Sequence, residues 1–260
     1  MSIPCGFSCT SVASKCLTFA DRKTGKVKRG PDAEFNCYYA MMEAAYPNVR
    51  QNSWNNWDLL KKARSQKRMV NLIEKSLFPL VEDYWSSHHQ NPIIRIHVGG
   101  EFYCETYFKA WMKVAEHLAP MKFYAYTKQL NFWLFNTVPD NVNLTASEGG
   151  KLDYLIYEHN LKYNRVVFSE EEADLKGLPL DKDDWHAHTG TESFASLLHG
   201  TQPKGSKAAA AKKALSEKGF IGYGKNQYRS APPEFFDQLD TWHRRIEDPK
   251  VLRILEQAAA

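Results

Sequence analysis

The chain has 260 residues, of which 43% are hydrophobic and 25% charged, with a formal net charge of +4. That length can bury a proper core as one large domain or two small ones, so stability needs no disulfide. A mean hydropathy of -0.53 and the lack of any run of about eighteen apolar residues exclude an integral membrane protein of helical spans. The mild basicity falls short of a dedicated nucleic-acid binder.

In chain order, residues 1–40 read as a loop-rich segment with Gly6, Gly25, Gly30 and Pro31. Its opening, "MSIPCGFSC", lacks the basic-then-apolar profile of a secretory leader. That predicts a cytoplasm in which thiols stay reduced, and an odd total of five cysteines agrees. Over residues 52–85 the apolar residues Trp57, Leu60, Val70, Ile73, Leu77 and Val81 recur near helical spacing, giving one or two amphipathic helices. The pattern then changes to strand and helix in alternation. Strands are expected at 93–98, 122–127, 142–146 and 165–169, with helices at 104–118, 129–135, 151–160 and 170–177.

Four such units in a row predict an α/β fold, with parallel strand-helix repeats closing into a partial or complete TIM-type barrel. Beyond them, residues 204–219 read as an Ala-rich helix stopped by Gly219, and residues 231–260 as two short helices broken near Pro249. One domain over 1–260 is expected, made of a cysteine loop (1–40), a barrel-like core (41–200) and a helical carboxyl-terminal region (201–260).

Four of the five cysteines fall within the first 37 residues: Cys5, Cys9, Cys16 and Cys37. The gaps are three, six and twenty residues, with small or flexible residues between the first three cysteines, so a loop can turn several thiolates toward one centre. Zinc favours paired knuckles with short gaps, and only the first gap fits. An iron-sulfur cluster accepts less regular loops, because each iron takes a thiolate from its own direction. A 4Fe-4S cluster is the leading reading, with zinc and unconnected buried cysteines as alternatives. Cys104 follows "GGEFY" at a helix start and reads as a small core residue.

In parallel strand-helix architectures chemistry gathers at the carboxyl ends of strands. Those ends carry His97, Gly99, Gly100 and Glu101; then Tyr126, Thr127 and Lys128; then Ser147 and Glu148; then Ser169. Adjacent glycines let backbone approach a ligand, and a carboxylate after them can pair with an ammonium group. The plainer reading is a tight turn with charged helix caps.

The cysteine loop together with a strand ending in "GGE" resembles the radical S-adenosylmethionine (SAM) proteins. There three cysteines hold a 4Fe-4S cluster and SAM chelates the open iron near a Gly-Gly-Glu stretch. More closely, "CGFSCTSVASKC", "GPDAEFNCYYAMMEAAYPNVR", "IRIHVGGEFYCETYFKAW" and "FYAYTKQL" resemble an uncharacterised phage and mobile-element family, gene product eighty-eight, described as radical-SAM-like. The resemblance covers most of residues 5–170 and, more loosely, "SLLHGTQPKGS". It implies Cys5, Cys9, Cys16 and Cys37 as cluster ligands, with Gly99, Gly100 and Glu101 lining the cavity. Under SAM use, Glu101 would hold the amino group, and Lys128 or Ser147 the carboxylate or ribose. The superfamily spacing is Cys-x3-Cys-x2-Cys, whereas the second gap here is six residues.

Three functions are therefore expected, in this order. The first is a phage-type iron-sulfur protein with four cysteine ligands, acting in electron transfer, redox sensing or binding. The second is a radical SAM enzyme with three ligands. The third is a zinc-stabilised nucleic-acid binder using "KKARSQKR" (61–68). The partner expected is a redox or host protein in the bacterial cytoplasm, with neither membrane nor nucleic acid indicated.

Overall fold

The computed structural model describes residues 1–88, 91–220 and 222–223. The first segment is a loop punctuated by a small antiparallel pair, Phe19–Ala20 (β1) and Val27–Lys28 (β2), inside the stretch expected to be loop. Three helices follow: Tyr38–Ala45 (α1), Pro47–Ala63 (α2) and Gln66–His88 (α3). Pro47 opens α2, where its missing N–H costs nothing. The break between α2 and α3 falls at Arg64, whose φ is +44°, and Pro79 lies inside α3. Helix α1 begins inside the segment expected to be loop.

A regular alternation then runs through Ile93–Arg95 (β3), Glu105–His117 (α4), Lys122–Thr127 (β4), Leu130–Phe135 (α5) and Val142–Ser147 (β5). It continues with Tyr154–Glu158 (α6), Tyr163–Val167 (β6), Glu170–Leu175 (α7), Trp185–His188 (α8), Phe194–Leu197 (β7) and Lys207–Glu217 (α9). Strand β6 ends before Ser169 because that hydroxyl caps α7, accepting from the Glu172 N–H at 3.2 Å. The fifth strand, β7, lies beyond the four expected units. The "FASL" run is short, and the expected spacing of units had already ended. Helix α9 stops where expected, with Gly219 at φ +94° just past its end. The two helices expected over 231–260 lie outside the described residues.

All five long-sheet strands are parallel and lie in the order β3-β4-β5-β6-β7. Each unit adds its strand beside the last, which winds the sheet in one direction as a curled half-barrel. The expected barrel is thus partial among the described residues. On the outer face Phe123, Ala125, Val142 and Leu144 pack with Leu77 and Val81 of α3 and Trp111 and Ala115 of α4 in the main core. On the inner face Tyr124, Tyr126 and Phe194 pack with Ala187 of α8. Successive residues of a strand face opposite ways, so one sheet supports both layers. No described helix is long and apolar enough to cross a membrane.

Candidate metal centre at the carboxyl ends of the strands

The amino-terminal loop is laced across the carboxyl ends of β3, β4 and β5. The Ile3 N–H donates to the Gly99 carbonyl at 3.1 Å. The Ser8 hydroxyl donates to the Pro4 carbonyl at 2.8 Å and accepts from the Glu101 N–H at 3.1 Å. Beyond β4, the Gln129 side chain donates to the Thr10 hydroxyl at 2.6 Å. Beyond β5, the Lys151 N–H donates to the Ala13 carbonyl at 2.8 Å. Buried backbone groups need partners, and here the loop and the strand ends supply one another's. Cys5, Cys9 and Cys16 are carried by this loop.

Cys37 arrives from the other side, as the residue that precedes α1. Its neighbour Asn36 is held by the "HGTQ" stretch, donating its N–H to the Gln202 side chain at 2.8 Å and its amide to the Thr201 carbonyl at 3.0 Å. The Sγ atoms of Cys5 and Cys37 stand 3.6 Å apart and share a hydrogen bond. That bond is the chief reason the Cys37 thiol falls to about 7, helped by the Ala40 and Tyr39 amides at the start of α1 and by the Lys128 ammonium. Cys5 keeps its proton: the bond to Cys37, a further one to Cys9, and burial push it well above the usual thiol range. Burial and then the charge of Cys37 also raise Cys16, and Cys9 adds to this. Four thiols from two segments therefore act on one another. Among the described residues, however, no group of three or more His, Cys, Asp or Glu side chains is drawn in to the spacing of a bound metal ion. All five cysteines are free, and Cys104 lies at the start of α4.

The other sequence-predicted residues fall into two sets. Lys128 and Ser147 are brought together: the Lys128 ammonium is partly buried and donates to the Ser147 hydroxyl at 3.1 Å and to the carbonyls of Ser147 and Glu148. Burial lowers its pKa, while Asp153, Glu101, Cys16 and Cys9 pull it back up. It is thus a partly buried cation beside the thiols.

The Gly99–Gly100–Glu101 turn serves the loop and α1. A side chain on Gly99 would strike the Tyr39 ring at 1.9 Å, and one on Gly100 would strike Ile3 at 2.5 Å. Gly100 also needs its φ of +96°. The Glu101 carboxylate, 5% exposed, accepts from the Phe102 N–H at 2.8 Å, the Thr127 hydroxyl at 2.7 Å and the Lys128 N–H at 2.7 Å. Glu148 pairs with Arg165 at 2.8 Å, and His97 is buried against the Tyr107 hydroxyl at 2.9 Å.

Two groups near the site were not picked out from sequence. Glu43 on α1 accepts from the Cys5 N–H at 3.2 Å while its other oxygen finds no partner, and burial raises its pKa to about 8. Its position inside an ordinary helical pattern gave no signal. On the inner face, Arg95 pairs with Asp184 at 2.7 Å, and the Tyr124 and Tyr126 hydroxyls donate to the same carboxylate at 2.9 and 2.7 Å. Arg95 also donates to the Tyr38 hydroxyl at 3.2 Å, joining this network to the residue after Cys37. The basic run 61–68 forms the α2–α3 corner, where the Lys61 ammonium lies over the Trp57 and Tyr103 rings at 5.3 and 5.4 Å.

A family model described as Gene product 88 matches residues 1–218, which include all five cysteines and every strand of the half-barrel. The chain is also similar to the Gene 88 protein of Mycobacterium phage D29, at 28% identity over 150 residues. That match covers 53% of this chain and 59% of the phage protein. No solved structure matches.

Proposed function

The chain belongs to the Gene product 88 family, and for this member we propose an iron-sulfur protein whose 4Fe-4S cluster is held by Cys5, Cys9, Cys16 and Cys37 and which serves electron transfer or redox sensing. The observation that carries the proposal is the meeting of Cys37 with the thiols of a loop that begins more than thirty residues earlier. Thiols of a reduced protein have no structural need to gather; they repel once ionised. A cluster presents separate irons, so its ligands need not crowd one point as around a single zinc ion.

When bound, such a cluster supplies reversible one-electron chemistry. The chain's own part is to set its surroundings. Cys37, with its low pKa, is ready to ligate at neutral pH. Lys128 places a positive charge next to a centre that gains negative charge on reduction, and the loop's backbone bonds to the strand ends fix the ligands.

Four ligands close the cluster, whereas SAM needs an open iron. The residues assigned to SAM also have other partners: Glu101 already accepts three hydrogen bonds, and Lys128 spends its ammonium on three oxygens. A closed centre is therefore preferred over the radical SAM enzyme. The test is electron paramagnetic resonance of the anaerobically purified, dithionite-reduced protein with and without SAM. A 4Fe-4S signal indifferent to SAM is expected. A signal perturbed by SAM would replace this reading with the enzyme, and a colourless zinc protein would replace both.

A further inference from the structure

The cysteine loop presents an outer face with an apolar centre and a basic rim. Phe7, between Cys5 and Cys9, is 45% exposed. Its ring packs edge-on against Phe19 at 4.8 Å and Trp54 at 4.6 Å. The Arg22 guanidinium lies over Trp54 at 4.7 Å and the Lys28 ammonium over Phe19 at 5.8 Å. Arg50 joins them, its Nε donating to the Arg22 carbonyl at 3.2 Å. Val12 and Tyr46 are also exposed.

Residues 15–29 carry six basic side chains, Lys15, Arg22, Lys23, Lys26, Lys28 and Arg29, all exposed, against one acid, Asp21. The whole chain has 34 basic and 30 acidic residues, so the positive charge is concentrated here. Asp21 is turned into its own loop, accepting from the Lys23 and Thr24 amides. Asp58 is taken up by Arg22 at 2.6 Å, and Asp32 and Glu34 lie exposed further along the chain. Among the described residues, Lys15, Lys23, Lys26 and Lys28 have no carboxylate within ion-pair distance.

We propose that this face docks an acidic one-electron carrier protein. An exposed aromatic ring flanked by basic side chains on a lysine-rich segment suits a small, electrostatically steered encounter. The inference rests on the iron-sulfur reading for its chemistry: one electron would leave the reduced partner and enter the group held by the cysteines, two of which, Cys5 and Cys9, flank Phe7 in the chain, with no bond made or broken. A nucleic acid is the less suitable occupant, because Trp54 is covered by Phe7 and Arg22 and offers no open ring for base stacking.

The test mixes the oxidised, cluster-loaded protein with a pre-reduced acidic plant-type [2Fe–2S] ferredoxin in an anaerobic stopped-flow instrument. The wild-type rate should fall at least tenfold between low and high salt. The triple variant Lys23→Glu, Lys26→Glu, Lys28→Glu should be at least tenfold slower at low salt, yet be reduced at the wild-type rate by the small, uncharged deazaflavin radical. Equal ferredoxin rates for variant and wild type would overturn the proposal. So would a DNA duplex that binds through these lysines while ferredoxin does not.

Ferredoxin affinity, measured by calorimetry on the same proteins, separates the two readings. A protein that takes no cluster but binds ferredoxin through the lysines keeps the docking face and loses the iron-sulfur reading. A cluster-bearing protein with no lysine-dependent affinity does the reverse.

Discussion

Cys5 and Cys37, separated by 32 residues, bring their sulfur atoms to 3.6 Å while Cys104 stays apart at the start of α4. Replacing Cys5, Cys9, Cys16 or Cys37 singly with alanine should strip most of the iron from anaerobically reconstituted protein, and Cys104→Ala should leave it unchanged. Iron and sulfide analysis with visible absorption reads this directly. A Cys37→Ala protein with a full, unaltered cluster would remove Cys37 from the ligand set.

Lys128 is a partly buried cation among Cys9, Cys16 and Glu101. At an effective dielectric constant of about 20, a unit charge within about 10 Å is worth roughly 1.5 kcal/mol, or about 60 mV for one electron. Lys128→Met should therefore lower the cluster's reduction potential by about that amount. Spectroelectrochemistry measures it, and an unchanged potential in a cluster-replete variant would show that the charge is screened from the centre.

The Glu101 carboxylate accepts three hydrogen bonds in a site closed to water. Glu101→Gln sets an amide N–H against one of those donors, and the loss expected is about 1–3 kcal/mol. It should appear as a lower urea midpoint. Wild-type stability in this variant would mean that the turn relaxes to accept the amide.

His97 is buried, and desolvation holds its pKa well below the ordinary 6.5. A group depressed in the folded state adds stability above its unfolded pKa and loses it as the pH falls below that value. Wild-type stability should therefore decline from about pH 6.5 downward in part through His97. His97→Phe, which forfeits the Tyr107 bond at about 1 kcal/mol, should be the less stable protein near pH 8 and close the gap as the pH drops. Parallel urea midpoints across this range would falsify the assignment.

The local units could be read from the order of residues. Periodicity placed β4 at its observed bounds and β5 within one residue, because strand and helix patterns depend on near neighbours. Gly219 marked the end of α9 for the same reason. The cysteine spacing also singled out the residues of which Cys5 and Cys37 bring their thiols together. Strand β7, α1 and the small β1–β2 pair were not legible, since short elements draw their stability from what they pack against.

What surrounds the cysteines depends on contacts between distant segments. Lys128 and Ser147, named separately from two strand ends, proved to be one contact, because parallel pairing sets consecutive strand ends side by side. Gly99 and Gly100 proved to be the seat of Tyr39 and Ile3. Glu43, the Arg95–Asp184 pair and the "HGTQ" clasp on Asn36 are contacts across long stretches of chain. A sequence records which groups are present, but which of them lose water and meet is fixed by packing between distant segments.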